Sequence, residues 1–384
     1  MKARFQICLA VCASLLAATV SSRSAQAGWP QYRGNPELRG TADTVLPEKL
    51  TLLWTFRTGG AVKGSPVIAG DHVFIGSGDS NVFAINFHDG KERWRFKADD
   101  AIEAPALFVD GAVYVGALDG HFYSLESDTG KLRWKYKTED KIAGAANLST
   151  NANGRLQILV GSHDYRLHAL DAATGKSNWV YETSNFINGT PAVSDGKTIF
   201  GGCDGLLHVI SVADGKKLKE IEAGAYVAAS VALAGDRAYF GHYDNEFVCI
   251  DLDKGETVWT FRDRNFPYFS SAAVASDRMV FGGRDKRLHC VDRKTGEPIW
   301  NFATRGKVDS SPVVARDKVV VGSDDGRVYL IALKDGRELW SYEIGQAVGS
   351  SPAVADGRIV IGSDDGNVYC FGSNKISSEQ GKNP

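Results

Sequence analysis

Short apolar stretches alternate with polar residues along almost the whole chain, and turns rich in glycine separate them. Val82–Ile85 and Val328–Ile331 are two such stretches. Apolar and polar residues that alternate over about four to eight positions between Gly and Asp turns are typical of short antiparallel strands. No segment after residue 28 repeats its apolar positions with a helical period. The pattern therefore predicts an all-β protein.

A Gly-x-x-Asp turn recurs about every 40 residues and gives the number of structural units. Glycine permits a positive φ in a tight hairpin, and aspartate caps such a turn through its side chain. Eight glycines begin these turns: Gly76, Gly116, Gly161, Gly201, Gly241, Gly282, Gly322 and Gly362. Four strands in about 40 residues is the size of a propeller blade. We predict an eight-bladed β-propeller of four-stranded antiparallel blades over residues 50–373.

The eighth unit lacks an outer strand, because the apolar pattern ends at Phe371. Near the other end of the chain, Leu52–Phe56 matches the pattern of Trp94–Phe96 in the first unit. A strand from the N-terminal side would complete the last blade and remove exposed sheet edges. The ring is therefore predicted to close through residues 50–58.

A tryptophan follows the second glycine turn of most units by four residues. Because these tryptophans occur once per unit at one position, we interpret them as large plates packed between neighbouring blades. They are Trp94, Trp134, Trp179, Trp259, Trp300 and Trp340. In the fourth unit this position is Lys219. The junction after the fourth blade is thus either a local weakness or a binding feature.

The turn glycine followed by an outer-strand tryptophan resembles the tryptophan-docking repeat of the PQQ-like, quinoprotein-type β-propeller family, over about residues 50–373. Residues Trp29–Gly34 resemble a lead-in segment to such propellers. In catalytic members of the family, a quinone lies on the axis between a tryptophan and two adjacent bridged cysteines, beside calcium. This chain has no Cys-Cys pair, and only Ser149–Arg155 lengthens a blade. The resemblance is therefore to the non-catalytic, BamB-like branch.

That resemblance implies an exported, non-enzymatic scaffold whose loops on one face hold a protein or a ligand. The alternative is a PQQ-dependent oxidoreductase similar to the quinoprotein dehydrogenases. The first function requires no cofactor, whereas the second requires PQQ and Ca²⁺. We expect a monomeric propeller whose partner is another exported or outer-membrane protein.

The N-terminus has the three parts of a secretory signal. Lys2 and Arg4 are positively charged, Ile7–Val20 is apolar, and Ala25–Ala27 has a small-x-small cleavage pattern. We predict cleavage after Ala27 and a periplasmic or secreted location. A lipoprotein attached through Cys12 is the alternative. Residues 28–49 are then a lead-in and residues 374–384 a flexible tail.

The charge balance excludes one class of partner. The net charge is −2, and loss of the predicted signal leaves 41 basic against 46 acidic residues. Nucleic-acid binding calls for a concentrated basic face, so no nucleic acid is expected. Nothing after the signal reaches about 18 consecutive apolar residues, so no transmembrane segment is expected.

Histidine and cysteine positions favour packing over chemistry. A single repeat position holds His168, His208 and His289 in three units and aromatic residues or valine in the others. A second position, otherwise small or apolar, holds Cys249, Cys290 and Cys370. We therefore predict buried side chains and free thiols at these two positions, and no metal site. Cys203, in a glycine-rich turn, is expected to be an accessible thiol.

The loops that join an outer strand to the next blade carry the candidate functional residues. One loop position is small or charged in five units but holds Phe186, Tyr226 and Pro267 in three consecutive units. These aromatic residues either form an exposed binding patch or fold inward and plug the axial channel. The candidate interaction face is Phe186, Tyr226, Phe266, Tyr268 and Phe269. The candidate mouth of the channel is Lys63, Glu103, Asn188 and Asp309.

Overall fold

The computed structural model describes residues 28–373, which contain strands and turns but no helix. The predicted signal peptide and C-terminal tail lie outside the described residues. Eight antiparallel sheets follow one another along the chain, each built around four strands. The prediction of an eight-bladed, all-β propeller is confirmed. Within residues 28–373 no helix is long and apolar enough to cross a membrane.

The strands are distributed among the blades as follows. Two strands, β1 (Thr41–Ala42) and β2 (Thr51–Arg57), precede the first blade. Blade 1 contains β3 (Val67–Ala69), β4 (His72–Gly76), β5 (Asn81–Asn86) and β6 (Glu92–Lys97). Blade 2 contains β7 (Leu107–Val109), β8 (Ala112–Gly116), β9 (His121–Glu126) and β10 (Leu132–Lys137). Blade 3 contains β11 (Asn147–Thr150), β12 (Leu156–Gly161), β13 (Arg166–Asp171) and β14 (Ser177–Glu182). Blade 4 contains β15 (Ala192–Ser194), β16 (Lys197–Gly201), β17 (Leu206–Ser211) and β18 (Lys217–Glu222).

The second half of the ring repeats this arrangement. Blade 5 contains β19 (Ala232–Ala234), β20 (Arg237–Gly241), β21 (Phe247–Asp251) and β22 (Glu256–Phe261). Blade 6 contains β23 (Ala273–Val274), β24 (Arg278–Gly283), β25 (Arg287–Asp292) and β26 (Pro298–Ala303). Blade 7 contains β27 (Val313–Ala315), β28 (Lys318–Ser323), β29 (Arg327–Ala332) and β30 (Glu338–Glu343). Blade 8 contains β31 (Ala353–Ala355), β32 (Arg358–Gly362), β33 (Asn367–Gly372) and the N-terminal strand β2.

The two middle strands of each blade are apolar on both faces because each blade packs between two neighbours. In β4 every residue from Val73 to Gly76 is buried, whereas the outer strand β6 alternates between buried and exposed positions. The hydrophobic core is correspondingly divided among the spaces between blades. One such cluster joins Phe74 and Trp94 of blade 1 to Val113 and Tyr123 of blade 2.

Tryptophan rings connect neighbouring blades at six of the eight junctions. The Trp94 ring lies so close to Gly130 of blade 2 that a Cβ there would be 2.6 Å from the indole. Its Nε1 donates a hydrogen bond to the Ser127 carbonyl at 2.7 Å. The same pair of contacts recurs for Trp54, Trp134, Trp179, Trp259 and Trp300. The predicted role of these tryptophans as plates between blades is confirmed.

The ring closes through the N-terminal strand, as predicted. Strand β2 pairs antiparallel with β33, with Thr55 opposite Tyr369 and Phe56 opposite Val368. Trp54, on the same strand, docks on Gly90 of blade 1. One strand from the beginning of the chain therefore completes blade 8 and connects it to blade 1.

The lead-in segment crosses the end of the propeller opposite the Gly-x-x-Asp turns. Trp29 forms an isolated bridge with Ile68 of blade 1. The carbonyls of Pro30, Pro36 and Glu37 accept backbone hydrogen bonds from the innermost strands of blades 2, 4 and 5, and the Arg39 carbonyl accepts one from blade 6. Strand β1 then pairs in parallel with β27 and becomes a fifth strand of blade 7. The lead-in is thus fastened blade by blade across the axis.

The three histidines are buried in three separate blades, as their repeat position predicts. In each case Nε2 lies 3.0 Å from an aspartate oxygen four residues earlier, in the pairs Asp164–His168, Asp204–His208 and Asp285–His289. Tyrosine takes the place of histidine in other blades, and the Tyr329 hydroxyl donates to Asp325 at 2.7 Å. In six of the eight blades the turn aspartate therefore contacts a polar side-chain atom inside the sheet.

All four cysteines in the described part of the chain are free thiols. Cys249, Cys290 and Cys370 are buried, and burial raises the pKa of each thiol to about 12. Their predicted role as small core residues is confirmed. Cys203 is only half-buried, and Asn188 Nδ2 lies 3.0 Å from its sulfur atom.

Deletion of residues 28–58 should destabilise the propeller severely, because blade 8 would lose its outer strand and expose an edge. We expect aggregation or a large drop in Tm, measured by thermal unfolding and size-exclusion chromatography. Deletion of residues 374–384 serves as the control and should leave both measurements unchanged. A 28–58 deletion that stays monomeric with an unchanged Tm would contradict the closure.

Candidate binding face and axial cavity

Two kinds of loop build one open face of the propeller. The inter-blade loop joins an outer strand to the next innermost strand, and the Gly-x-x-Asp turn joins the two middle strands. In every blade the residue before the turn aspartate donates its backbone N–H to the carbonyl of the inter-blade loop position identified above. Tyr243 donates to Tyr226 at 3.1 Å, for example, and Cys203 donates to Phe186 at 3.0 Å. These paired positions are therefore rigidly placed around the axis.

A small cavity of ≈ 180 Å³ lies on the axis beneath this face. Its mouth is a ring of eight residues, one from each inter-blade loop: Lys63, Glu103, Ala143, Asn188, Ala228, Phe269, Asp309 and Gly349. The structure thus brings together all four residues that the sequence placed at the channel mouth. Small residues occupy three of the remaining ring positions, and Phe269 occupies the fourth.

Hydroxyl groups occupy six of the eight positions in a second ring deeper in the cavity. The backbone N–H of Ser230 donates to Ser271 Oγ at 3.0 Å, and that of Ser271 donates to Ser311 Oγ at 2.9 Å. In the same way, the backbone N–H of Ser311 donates to Ser351 Oγ, and that of Ser351 donates to Ser65 Oγ. Each of these hydroxyls accepts a bond from the preceding blade. The ring therefore joins neighbouring blades at the axis, and its hydroxyls are already engaged within the protein.

Tyr32 and Arg33 of the lead-in close the far end of the cavity. The Tyr32 hydroxyl lies 3.0 Å from Ser311 Oγ in the hydroxyl ring. The Arg33 guanidinium is buried and donates to three carbonyls, those of Ser311 (3.0 Å), Ala272 (2.8 Å) and Pro312 (2.7 Å). Burial lowers the pKa of Arg33 to about 10, so the side chain remains charged at neutral pH. The cavity is therefore blind and opens only on the loop face.

Charged side chains on one half of the open face pair with one another. Lys63 Nζ lies 2.8 Å from a Glu103 carboxylate oxygen, and this hydrogen bond raises the lysine pKa. The Asp309 carboxylate accepts hydrogen bonds from Arg284, at 3.0 and 2.9 Å, and from Lys307, at 2.9 Å. The carboxylates of the mouth are thus matched by cations, and the charged half presents ion pairs to solvent.

Aromatic rings occupy the other half of the face, across blades 3 to 6. Tyr165 and Phe186 lie with ring centroids 5.2 Å apart. Tyr243 lies between Tyr226, at 6.3 Å, and Phe269, at 4.5 Å. The Arg284 guanidinium lies over the Phe269 ring at 4.0 Å, within the range of a cation–π contact. We call the six residues Tyr165, Phe186, Tyr226, Tyr243, Phe266 and Phe269 the aromatic arc.

Some candidate residues of the interaction face are exposed, as a binding patch requires, and others are turned toward the axial channel. Tyr226 and Phe266 are exposed, at 53% and 47%. Phe186 and Phe269 are half-buried, and Phe269 also lines the axial cavity. The inclusion of Tyr268 is wrong, because this side chain is 1% exposed. Tyr268 occupies the packed position that valine or isoleucine holds in the other blades, and its Cβ lies above Gly241 of blade 5.

Sequence reasoning missed Tyr165, Tyr243 and Arg284, which come from the Gly-x-x-Asp turns. The signal that could have found two of them is the residue before the turn aspartate. That position is Gly78, Leu118, His163, Cys203, Tyr243, Arg284, Asp324 and Asp364 in blades 1 to 8. It changes from small or apolar to aromatic, basic and acidic around the ring. Because the turn repeats in every blade while this side chain changes, the fold does not determine which side chain is present there.

The residues at the axis do not fit PQQ and calcium. Pockets for cofactors and other small ligands usually measure about 300–1,000 Å³, whereas the axial cavity has ≈ 180 Å³. The oxygen-bearing side chains at the mouth already have partners. Glu103 pairs with Lys63, Asp309 pairs with Arg284, and Asn188 contacts Cys203.

Two groups of three potential metal ligands occur among residues 28–373, and neither lines the axial cavity. They are Asp99, Asp119 and His121, and Asp263, Asp285 and His289. In the second group, His289 already contacts Asp285 through the Asp–His pair that recurs in blades 3 and 4. We therefore attribute these groups to the repeat and its neighbouring loop.

A family model supports the resemblance seen in the repeats. The model described as outer membrane protein assembly factor BamB matches residues 47–261 and 267–375. The match covers all eight blades. No curated protein matches the chain.

Solved structures with the same fold include both BamB and dehydrogenases. BamB from Moraxella catarrhalis is 20% identical with a TM-score of 0.69, over 85% of this chain and 98% of that chain. A europium-containing methanol dehydrogenase is 13% identical with a TM-score of 0.76, over 91% of this chain and 99% of the other. Quinohemoprotein alcohol dehydrogenase from Comamonas testosteroni is 15% identical with a TM-score of 0.75, over 92% and 82%. Identities this low show a shared fold.

Replacement of Arg33 by leucine should destabilise the protein by several kcal/mol. Three buried carbonyls would lose their donor, and each unsatisfied group costs about 1–3 kcal/mol. The free energy of unfolding in urea provides the measurement. Arg39→Leu is the matched control, since Arg39 lies in the same segment but is partly exposed, and surface changes cost about 0.5 kcal/mol. Equal losses in the two variants would contradict the role given to Arg33.

Proposed function

This chain belongs to the family of the outer membrane protein assembly factor BamB, and on that premise we propose that it is a non-enzymatic scaffold of the cell envelope. Its open face binds a segment of another exported or outer-membrane protein. The observation that carries the proposal is the aromatic arc, which lies on one half of an otherwise polar and ion-paired face.

The aromatic arc has the composition of a protein-binding surface. Tyr165, Tyr226, Tyr243 and Phe266 are each between 41% and 53% exposed. Soluble monomers rarely expose contiguous apolar patches, and larger ones mark interaction sites. Tyrosine, phenylalanine and arginine are enriched in interface cores, and Arg284 stacks on Phe269 at the edge of the arc. Burial of these rings against a partner would remove apolar surface from water.

The backbone at Tyr165 supports a role beyond folding. Tyr165 has a φ of 71°; the equivalent residue is glycine at a φ of 79–83° in blades 2, 4, 7 and 8, and Ser80, Asn245 or Lys286 at a φ of 64–68° in blades 1, 5 and 6. A bulky side chain in this left-handed region is strained by about 1–3 kcal/mol. The side chain is 41% exposed, so the free energy gained from its burial offsets little of that strain. Among the four blades with a side chain at this position only blade 3 has an aromatic one, which supports a role for the ring in contacts with a partner.

The location follows from two sequence features. The N-terminal segment has the charge, apolar length and cleavage pattern of a secretory signal. The family description also refers to the outer membrane. Both support a periplasmic or secreted propeller with a partner in the same compartment.

The axial cavity supports binding over oxidoreductase chemistry. Its volume, its serine and alanine lining, and the ion pairs at its mouth provide neither the space nor the free ligands for a quinone and a metal. The cavity would instead accept a short side chain of a segment that lies across the open face.

Replacement of Tyr226 and Phe266 by serine should weaken partner binding without affecting folding. Both side chains are exposed, so each change should cost within about 0.5 kcal/mol of stability. The measurement is quantitative mass spectrometry of proteins that co-purify from the envelope fraction of the native host. The matched control is Leu132→Ser with Val180→Ser, which removes two exposed apolar side chains from outer strands. Identical co-purifying proteins for both double variants would contradict the proposal.

Tyr165→Gly tests the same face with a change that relieves strain. We expect Tm to stay equal or to rise, because glycine adopts the left-handed conformation at no steric cost. Partner recovery in the same co-purification should fall. A variant that loses stability while it keeps its partner would show that Tyr165 serves the fold.

A further inference from the structure

The axial cavity carries hydrogen-bond donors that the fold itself does not use. Five ring hydroxyls each accept a backbone N–H from the preceding blade at 2.8–3.0 Å, namely those of Ser230, Ser271, Ser311, Ser351 and Ser65. A hydroxyl group has one proton to donate in addition to its two lone pairs. Because all five bonds run in the same direction around the ring, the oxygen atoms serve as acceptors and the protons remain available.

Three of these protons have no acceptor within the part of the chain that the structure describes. They belong to Ser65, Ser230 and Ser351, whose Oγ atoms take part only in the N–H bonds of the ring. All three residues line the cavity, and each is only 6% exposed. A hydrogen bond accepted by the oxygen polarises the O–H group and makes it a stronger donor. The cavity therefore offers hydroxyl donors to a ligand that carries acceptors.

A buried positive charge lies next to this ring. Arg33 donates to the carbonyls of Ser311, Ala272 and Pro312, which belong to the ring or adjoin it in sequence. Among residues 28–373 no carboxylate forms an ion pair with the guanidinium, and its Nε has no acceptor. The interaction of a charge with its surroundings is much stronger away from water. The inner end of the cavity therefore favours a negatively charged group over a neutral one.

The acidic residues at the mouth do not reverse this preference, because cations already pair with them. The ion pairs are Lys63–Glu103 at 2.8 Å, Arg284–Asp309 and Lys307–Asp309 at 2.9 Å, and Lys307–Asp324 at 3.3 Å. Three cations and three carboxylates take part, so the charges of this network balance. The charge of Arg33 therefore determines which sign of ligand the cavity prefers.

We propose that the axial cavity binds the carboxylate of an acidic side chain, which the partner presents between apolar residues of the segment that lies across the open face. The carboxylate accepts charge-assisted hydrogen bonds from Ser65, Ser230 and Ser351, and the charge of Arg33 stabilises it. The neighbouring apolar residues pack on the aromatic arc, whose Phe269 also lines the cavity. This inference rests on the proposed function and adds the chemistry of the residue that the partner must supply.

The first test compares two peptides, acetyl-Phe-Glu-Phe-amide and acetyl-Phe-Gln-Phe-amide, on the unaltered protein. Glutamine has nearly the shape of glutamate but no charge. Methyl NMR should show shifts of Ala145 and Ala229, which line the cavity, on titration with the glutamate peptide. The glutamine peptide should bind at least about tenfold more weakly, which corresponds to about 1.4 kcal/mol. Equal affinities, or shifts that leave both alanines unchanged, would overturn the proposal.

Sodium acetate separates this proposal from the proposed function, because acetate can enter the cavity without contact with the aromatic arc. Acetate should shift the methyl signals of Ala145 and Ala229, whereas acetamide at the same ionic strength should not. Shifts with acetate in a protein that binds neither peptide would support the carboxylate site and contradict the binding role of the arc. The absence of shifts with acetate would overturn the carboxylate site even if both peptides bind.

Ala228→Leu provides a third test, because Ala228 lies at the mouth of the cavity and a larger side chain would obstruct it. We expect the preference for the glutamate peptide to fall below about twofold, and the shifts with acetate to disappear. Ala101→Leu makes the same enlargement on another inter-blade loop, at a residue that does not line the cavity, and should retain both. A preference that Ala228→Leu leaves unchanged, in a variant with an unchanged Tm, would overturn the proposal.

Discussion

The propeller depends on one repeated interaction, an indole that lies on a turn glycine of the next blade and donates its N–H to a carbonyl three residues earlier. The contact buries a large apolar ring and satisfies its single polar atom at the same time. Because glycine allows both the positive φ and the close approach, the two residues are required together. Trp54 makes this contact from a strand at the beginning of the chain, so ring closure uses the same interaction as five other junctions.

A scaffold held by repeated contacts leaves the loops free to differ, and the differences are concentrated in two places. On the open face, aromatic residues of blades 3 to 6 lie beside the ion pairs of the other half. On the side, Lys219 keeps the hydrogen bond of a junction and omits its ring. Tyr165 also places an aromatic side chain at a turn position with a positive φ of 71°. We interpret the aromatic residues of the open face as the part of the molecule that contacts a partner.

Sequence periodicity predicted the fold because each blade repeats the same constraints. The turn glycines, the strand alternation and the docking tryptophans are independent signals with one spacing, and the unmatched strand at Leu52–Phe56 revealed the closure. The mouth residues Lys63, Glu103, Asn188 and Asp309 were predictable for the same reason. The lead-in was not, since Arg33 makes its contacts across the axis with no repeat to reveal them. The burial of Tyr268 was missed because an aromatic residue took an aliphatic position.

Site-specific photo-crosslinking can show whether the aromatic arc contacts a partner. A benzophenone side chain would be introduced at Tyr226, and separately at Ala101, which holds the equivalent loop position in blade 2. After irradiation of cells of the native host, we expect a discrete crosslinked polypeptide from position 226 and none from position 101. Equal crosslinking at the two positions, or none at position 226, would contradict the binding role of the arc.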